Sequence, residues 1–556
     1  MMKNFSNLRF SENYFSIFLA FCFVGYFFGL FIDVMEIDAA QYAAVSMEML
    51  EKNSFLQVFI RSENYLDKPP LTFWLAALSF KIFGLNTWAY KIPSLVFALL
   101  SCFYVYRFSN RYYGEKTAQW ATLILASCQG MFMMTHDCRT DTLLTGSVTM
   151  AIFHLSVFFE EKNNKDWILG FFAIGLAMLA KGPIGLVTPV FALGIQVVFK
   201  NQWSKLLRWQ WIAGIILVAI MLLPMCVGLY QQHGVAGLEF YFWKQSFGRI
   251  TGENDFLKTL SSSDYVNDPF FFYHTFLWAF LPWAIFSYAA FLRLIWAFFN
   301  KKVKDYPEWI SWGGVIFTFI AMSLSQFKLP HYIFVCFPMV AVLTAHYVIQ
   351  LAGQKEQKTL KAIHSIVPFV FLFIISYLIV VSFKRNVIPD SMLIVLGIFG
   401  VIWFSYAPSK WETSLKSLFL MVVFGNILLN AVVYPRLLEY QWGSQIGKII
   451  KTNKIAENTT VFCYEHTFDL DFYSGRLLKH SNIGDEHWNN LKKNEYIILT
   501  KEELKHLEES AYSYEVVKEA PGFSVTLLTP EFLNPETRPS TLRPRILIKI
   551  IGKNEL

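Results

Sequence analysis

Glu36-Ile37-Asp38-Ala39-Ala40-Gln41-Tyr42-Ala43 and, after a polar interval, Tyr65-Leu66-Asp67-Lys68-Pro69-Pro70-Leu71 follow directly on the apolar run 14–32. Such a run crosses a bilayer, because about 30 Å of hydrocarbon at 1.5 Å per residue takes roughly 20 residues and offers no water to unpaired backbone groups. The acids, the lysine and the paired prolines therefore emerge at a membrane surface. Outward from this stretch, further apolar runs lie at 92–108, 116–134, 140–159, 167–180, 184–199, 209–230, 271–296, 309–325, 331–351, 364–383, 388–406 and 415–434. Together they predict a polytopic α-helical membrane protein with about 13 transmembrane helices. With 55% hydrophobic, 18% aromatic and only 16% charged residues, the chain lies outside the soluble globular class.

Orientation follows from the preference of Lys and Arg for cytoplasmic loops. Arg107, Arg111 and Lys116, then Lys200, Lys205 and Arg208, then Lys301, Lys302 and Lys304, then Lys355, Lys358 and Lys361 alternate as inside loops if the N-terminus is cytoplasmic. Lys384 and Arg385 are the exception, falling outside. The first run follows Lys3 and Arg9 with no small-x-small cleavage site after it, and reads as a retained anchor. Two long extracytoplasmic loops result, 33–91 and 231–270. Within the first, Ala39–Leu50 has the spacing of an amphipathic helix, with Tyr42, Val45, Met49 and Leu50 on one side; Leu71–Phe83 is short for a span and fits the interface. Residues 1–434 form the membrane domain, and an odd number of spans puts 435–556 outside the cytoplasm. There, Thr459–Tyr464, Tyr496–Thr500 and Phe523–Leu528 read as strands and Lys501–Ser510 as a helix, predicting a small α/β domain.

The net charge of +7 is spread between apolar runs, with no basic face for nucleic acid; anionic lipid or phosphate is the expected partner. Six of the seven cysteines lie in or beside apolar runs and only Cys463 in the tail, so no disulfide framework is read. Ionisable groups against a membrane are expensive and mark function, and here they gather at outer ends of spans: Asp38, Asp67, Lys68, Asp137, Arg139, Asp141, Lys181, Arg249, Lys328, His331 and Tyr332. Each has a plain structural alternative. Asp38 suits a helix N-cap, Lys68 a snorkelling side chain before an interfacial helix, Asp137 a cap, Lys181-Gly182-Pro183 a break between spans, and Pro330 with Tyr332 an aromatic belt. Asp137 and Asp141, four residues apart, would share a helix face and need Arg139, Lys181 or a sugar amine as partner. Arg249, Lys328 and Tyr332 offer donors suited to phosphate.

With Met47-Glu48-Met49-Leu50, Phe73-Trp74, Thr140-Asp141, Ala180-Lys181-Gly182-Pro183, Phe247-Gly248-Arg249 and Lys328-Leu329-Pro330-His331-Tyr332-Ile333, the opening stretch resembles bacterial aminoarabinose transferases and the related dolichyl-phosphate-mannose-protein mannosyltransferase-like enzymes. The resemblance implies a GT-C fold. It implies transfer of a sugar, with inversion, from a polyprenyl (undecaprenyl) phosphate to a lipid (lipid A-like) or protein acceptor at the outer face of a bacterial cytoplasmic membrane. It implies Asp38 and Asp141 as catalytic groups, and Lys68, Lys181, Arg249, Lys328 and Tyr332 as donor-phosphate ligands. Tyr42, Tyr65, Asp137 and His331 are then substrate-binding, and Asp67 a ligand for a possible divalent metal. Those enzymes carry Glu at the place of Asp67 and a His shortly before the residue matching Arg249, whereas here Lys244-Gln245-Ser246 precede Phe247; the metal is thus an open assignment. A secondary transporter or flippase is the competing class, and a membrane scaffold the third. A transporter would show repeated halves and midplane charges, which the sequence does not display, and a scaffold has no need for a one-sided set of acids and phosphate donors.

Overall fold

The computed structural model describes residues 12–244, 268–300, 306–325, 328–351, 358–384, 411–453, 455, 461–463, 465, 467–480, 490–509 and 512–553. Every expected span falls on described helix except 388–406, which lies outside these residues. Among the described residues, five helices are long and apolar enough to cross a membrane, and six shorter apolar helices accompany them. Thr140–Glu161 is the centre of the bundle and is buried over its apolar length. Two of its hydroxyls fold back on their own helix, Thr145 to the Asp141 carbonyl at 2.7 Å and Thr149 to the Thr145 carbonyl at 2.6 Å, an internal acceptor where no water is at hand. Gln210–Glu239 lies at the opposite extreme and exposes Ile212, Ile215, Ile216, Ile220 and Leu223, an apolar face suited to lipid.

Two of the expected spans are broken. Residues 116–134 form Glu115–Ser127 and Gln129–His136, parted at an extended Cys128; residues 271–296 form Phe271–Ala279 and Ala284–Phe299, with Pro282, which has no amide to donate, in the gap. The breaks compensate one another. Gln129 N donates to the Leu281 carbonyl at 3.1 Å and Trp283 Nε1 to Ser127 Oγ at 2.8 Å, so backbone freed at one gap is satisfied at the other.

The first loop is folded. Asp38–Glu51 and Leu71–Phe83 are helices, joined through a hairpin of β1 (Phe59–Ile60) and β2 (Glu63–Asn64). Tyr42, Val45 and Met49 pack against Phe73, Ala77 and Phe80, and Phe73 is fully buried, worth roughly 2–3 kcal/mol over exposure. Gly84, at φ +80°, ends the second helix, and Asn86 caps the next by accepting from Ala89 N at 2.9 Å.

The tail contains β3 (Val461–Cys463), β4 (Lys479–His480), β5 (Tyr496–Leu499), β6 (Tyr512–Ala520) and β7 (Arg545–Lys553). Their order is β4-β3-β5-β7-β6, parallel through β5 and antiparallel beyond it. The helix expected at 501–510 is Lys501–Glu508, closed by a Thr500/Glu503 capping box. Phe523–Leu528 is not a strand. Phe523 instead stacks on Phe532 at 3.7 Å, and both join Val525 in an apolar cluster, so side-chain packing rather than a ladder holds this segment. The tail grips the first loop: Gln441 Nε2 donates to the Val34 carbonyl and Gln441 Oε1 accepts from Glu36 N, both at 2.9 Å. Val34 N donates to the Tyr473 hydroxyl at 2.8 Å, and Lys448 pairs with Asp33 at 2.6 Å.

Candidate active site

Asp38 does not act as the expected cap. It is the first helical residue, behind Ile37, and makes no capping bond. Its carboxylate turns to Arg139, whose Nη1 donates to it at 2.5 Å while Nε donates to Asp137 at 2.7 Å. Arg139 immediately precedes the Thr140–Glu161 helix, and Asp137 closes the Gln129–His136 helix. The guanidinium fork thus fastens the loop acid to the outer end of the bundle.

Asp141 sits in the first turn of the central helix, where the partial positive charge of unpaired amides favours an anion. Its side chain is 2% exposed, and Lys181 donates to it, with His331 Nε2 3.7 Å from its other oxygen. Lys181 is the last residue of one helix, Gly182 takes φ +87°, and Pro183 precedes the next helix. The Lys181-Gly182-Pro183 sequence is therefore a helix break, and the break is what aims the lysine. A side chain other than glycine would be strained at that φ. Lys181 Nζ also lies 4.0 Å from the Tyr332 ring centroid, a cation–π distance. Lys68 pairs with Asp67 at 2.6 Å.

These groups surround one cavity of about 300 Å³. Asp38, Tyr42, Asp67, Lys68, Arg139, Asp141, Lys181, His331 and Tyr332 line it, and Ile184, Val187, Phe191 and Met322 supply an apolar wall. Burial first, then Tyr65 and the charge of Asp38, push the Tyr42 phenol well up, so it is a hydrogen-bond donor at neutral pH. Tyr65 lines a smaller adjoining cavity with Asp67, Lys68 and Lys181 and points its hydroxyl at Gln41, 3.3 Å away. Asp137 reaches the site through Arg139. Lys328 is one residue outside the cavity lining, which begins at Leu329 on that segment. Arg249 lies outside the described residues. Arg139 is the residue whose importance the sequence understated: standing between Asp137 and Asp141, it read as a local neutraliser, whereas it bridges to an acid 101 positions away. Among the described residues no group of three or more His, Cys, Asp or Glu could hold a metal.

The family of dolichyl-phosphate-mannose-protein mannosyltransferases matches residues 67–227. A protein of Aquifex aeolicus is 24% identical over 450 residues, 79% of this chain and 82% of that one. The undecaprenyl phosphate-α-4-amino-4-deoxy-L-arabinose arabinosyl transferase of Erwinia tasmaniensis is 25% identical over 331 residues, 58% of this chain and 57% of its own length. The crystal structure of ArnT from Cupriavidus metallidurans bound to undecaprenyl phosphate superposes with a TM-score of 0.71 at 18% identity, over 97% of this chain and 98% of that one. The chain has the GT-C glycosyltransferase fold. Within GT-C it resembles the aminoarabinose transferases, and its apolar helices make it an integral membrane protein.

Proposed function

We propose that the chain is a GT-C enzyme that moves a sugar from a polyprenyl phosphate, undecaprenyl phosphate in a bacterial host, to an acceptor at the outer face of the cytoplasmic membrane. One observation carries this reading: a single cavity holds an arginine-anchored carboxylate, two lysines and an apolar wall. A lipid phosphate ester has the matching parts, a charged head and a hydrocarbon tail.

In the reaction, an acceptor oxygen forms a bond to the anomeric carbon while that carbon's bond to the phosphate oxygen breaks, and the polyprenyl phosphate leaves with the electron pair. Attack opposite the leaving group inverts the centre. Asp38 takes the proton of a hydroxyl acceptor, or holds in line an acceptor that is already an anionic phosphate; Arg139 fixes its direction. Lys68 and Lys181 stand where negative charge develops on the departing phosphate, with Tyr332, Arg249 and Lys328 as further phosphate donors. Asp141 aims Lys181. Tyr42, Tyr65, Asp137 and His331 border the sugar, and the isoprenoid lies along Ile184, Val187, Phe191 and Met322. A divalent metal at Asp67 is kept as a proposal, checked by chelation with EDTA and add-back, and no step above runs through it. The aminopentose of the Erwinia enzyme's name makes a 4-amino-4-deoxypentosyl donor the first to test, with a lipid A-like glycolipid before a protein as acceptor. The site and residues 435–556 face the periplasm.

Purified chain in vesicles, given undecaprenyl-phosphate aminopentose and a phosphorylated glycolipid, should yield free undecaprenyl phosphate and an acceptor heavier by one aminopentosyl unit. Movement of intact donor across the bilayer with no new product would favour the transporter reading instead. Asn53→Cys and Lys328→Cys should both react with an impermeant thiol reagent from the same side; reaction from opposite sides would remove the shared site.

A further inference from the structure

A second, larger cavity, of about 510 Å³, lies on the other side of the same loop, between Glu36 and the tail. Asp469 is fully buried in its wall, its carboxylate against the Thr467 hydroxyl and the Glu36 side chain, with no cation paired to it among the described residues. The Glu36 carboxylate comes up against Asp469, accepting from its backbone N at 2.7 Å. Across the cavity stand Arg543 and Arg545. Arg545 is 8% exposed, pairs with Glu465 and keeps a buried Nε without an acceptor. Phe523 supplies an aromatic wall.

Two buried carboxyls in contact with no cation between them, and a buried arginine nitrogen without an acceptor, are each unfavourable, by about 1–3 kcal/mol for an unsatisfied group; collected round one open volume, they are a site waiting for complementary atoms. The complement is specific. Asp469, Glu36 and Thr467 call for hydroxyl or ammonium donors, Arg543 and Arg545 for an anion, and Phe523 for the apolar face of a ring. A phosphorylated saccharide with a free amine or several hydroxyls meets all three. Its place relative to the first cavity is fixed by the chain: a single residue separates 36 from 38, so their Cα atoms lie within about 7 Å of one another, Glu36 lining one cavity and Asp38 the other.

We propose that this cavity holds the phosphorylated saccharide headgroup of the acceptor, gripped by Glu36, Asp469, Arg543 and Arg545 so that its reactive oxygen reaches past Ile37 towards Asp38. The assignment rests on the glycosyltransferase reading for its direction, and the tail becomes part of the acceptor site.

The test uses the full chain in detergent, with glucosamine 6-phosphate as probe and glucosamine and inorganic phosphate as controls, followed by saturation-transfer NMR. Wild type and Asp38→Asn should bind the probe better than either control. Arg543→Gln, at an exposed position and therefore safe for folding, and Asp469→Asn should each weaken binding at least tenfold. In transfer assays with an acylated, phosphorylated glucosamine disaccharide, Arg543→Gln should raise the acceptor KM at least tenfold and leave the donor KM unchanged. No probe binding by wild type, equal binding of phosphate alone, or undiminished binding by both variants would overturn the proposal. So would an acylated acceptor whose binding ignores both substitutions, because the lipid alone would then account for it. Normal probe binding with no sugar transfer from any donor would count against the glycosyltransferase reading and leave the saccharide site standing.

Discussion

The cavities on either side of residues 36–38 handle charge in opposite ways. In the first, every acid is matched: Asp38 and Asp137 share Arg139, Asp141 has Lys181, and Asp67 has Lys68. In the second, Glu36 and Asp469 meet acid to acid and, among the described residues, form no ion pair. Burial, with each other's charge added for Glu36, pushes both carboxyls above their ordinary range. Matched charges hold a reaction centre in fixed geometry before substrate arrives, whereas an unmatched pair keeps a penalty that only a proton or a ligand relieves. The first cavity is thus built for positioning, the second for capture.

Breaking a match should do the most damage. Lys181→Met leaves Asp141 buried and uncompensated, so thermal unfolding in detergent should show a loss of about 3–5 kcal/mol; adding Asp141→Asn should restore stability without restoring transfer. Arg139→Gln should lower transfer about 100-fold, the size of a misdirected general base, with donor binding retained; unchanged transfer would deny Arg139 its anchoring part. Creating a match where none exists should work the other way: Asp469→Asn removes a buried like-charge contact and should raise the unfolding temperature at pH 7 by a few degrees, about 1–2 kcal/mol by the scale of unsatisfied groups. A fall would show that the carboxylate has a partner holding it.

Proton linkage sharpens the same contrast. Asp471, on the same Phe468–Ser474 helix as Asp469, is pushed by burial from 3.8 to about 6 against the pull of Arg61. Its folded value lies above its unfolded one, so the folded chain keeps a proton that the unfolded chain has released. The stability this adds is complete below 3.8 and is lost as pH rises to about 6, roughly 3 kcal/mol at 1.36 kcal/mol per unit. Glu36 and Asp469 shift in the same sense. The unfolding temperature should therefore decline from pH 4 to pH 6, less steeply in Asp471→Asn, and a rise over that range would reverse the assignment.

Much of this was written locally in the sequence. Apolar runs announced the spans, and Lys181-Gly182-Pro183 announced a break whose glycine and proline leave little choice of backbone. The Asp38–Glu51 and Leu71–Phe83 helices followed from apolar spacing and from Pro70. What escaped was non-local. The gaps at Cys128 and Pro282 stabilise each other through a bond spanning 156 positions and so look like uninterrupted apolar runs. Tyr512–Ala520 hides its strand character because two register shifts, at Ser513/Tyr514 and Val516/Lys518, spoil the alternation that marks a strand. Phe523–Leu528 has strand-like residues but no ladder partner. The Asp38–Arg139 bridge and the Glu36–Asp469 contact join residues 101 and 433 apart, and no spacing rule reaches that far.

The decisive assay compares Asp38→Asn with wild type in the same vesicles, reading donor binding and sugar transfer side by side. Transfer should drop at least 1,000-fold, within the span expected for a general base, while the polyprenyl-phosphate donor binds as before through Lys68 and Lys181. Transfer within tenfold of wild type would contradict a reaction centred on this carboxylate.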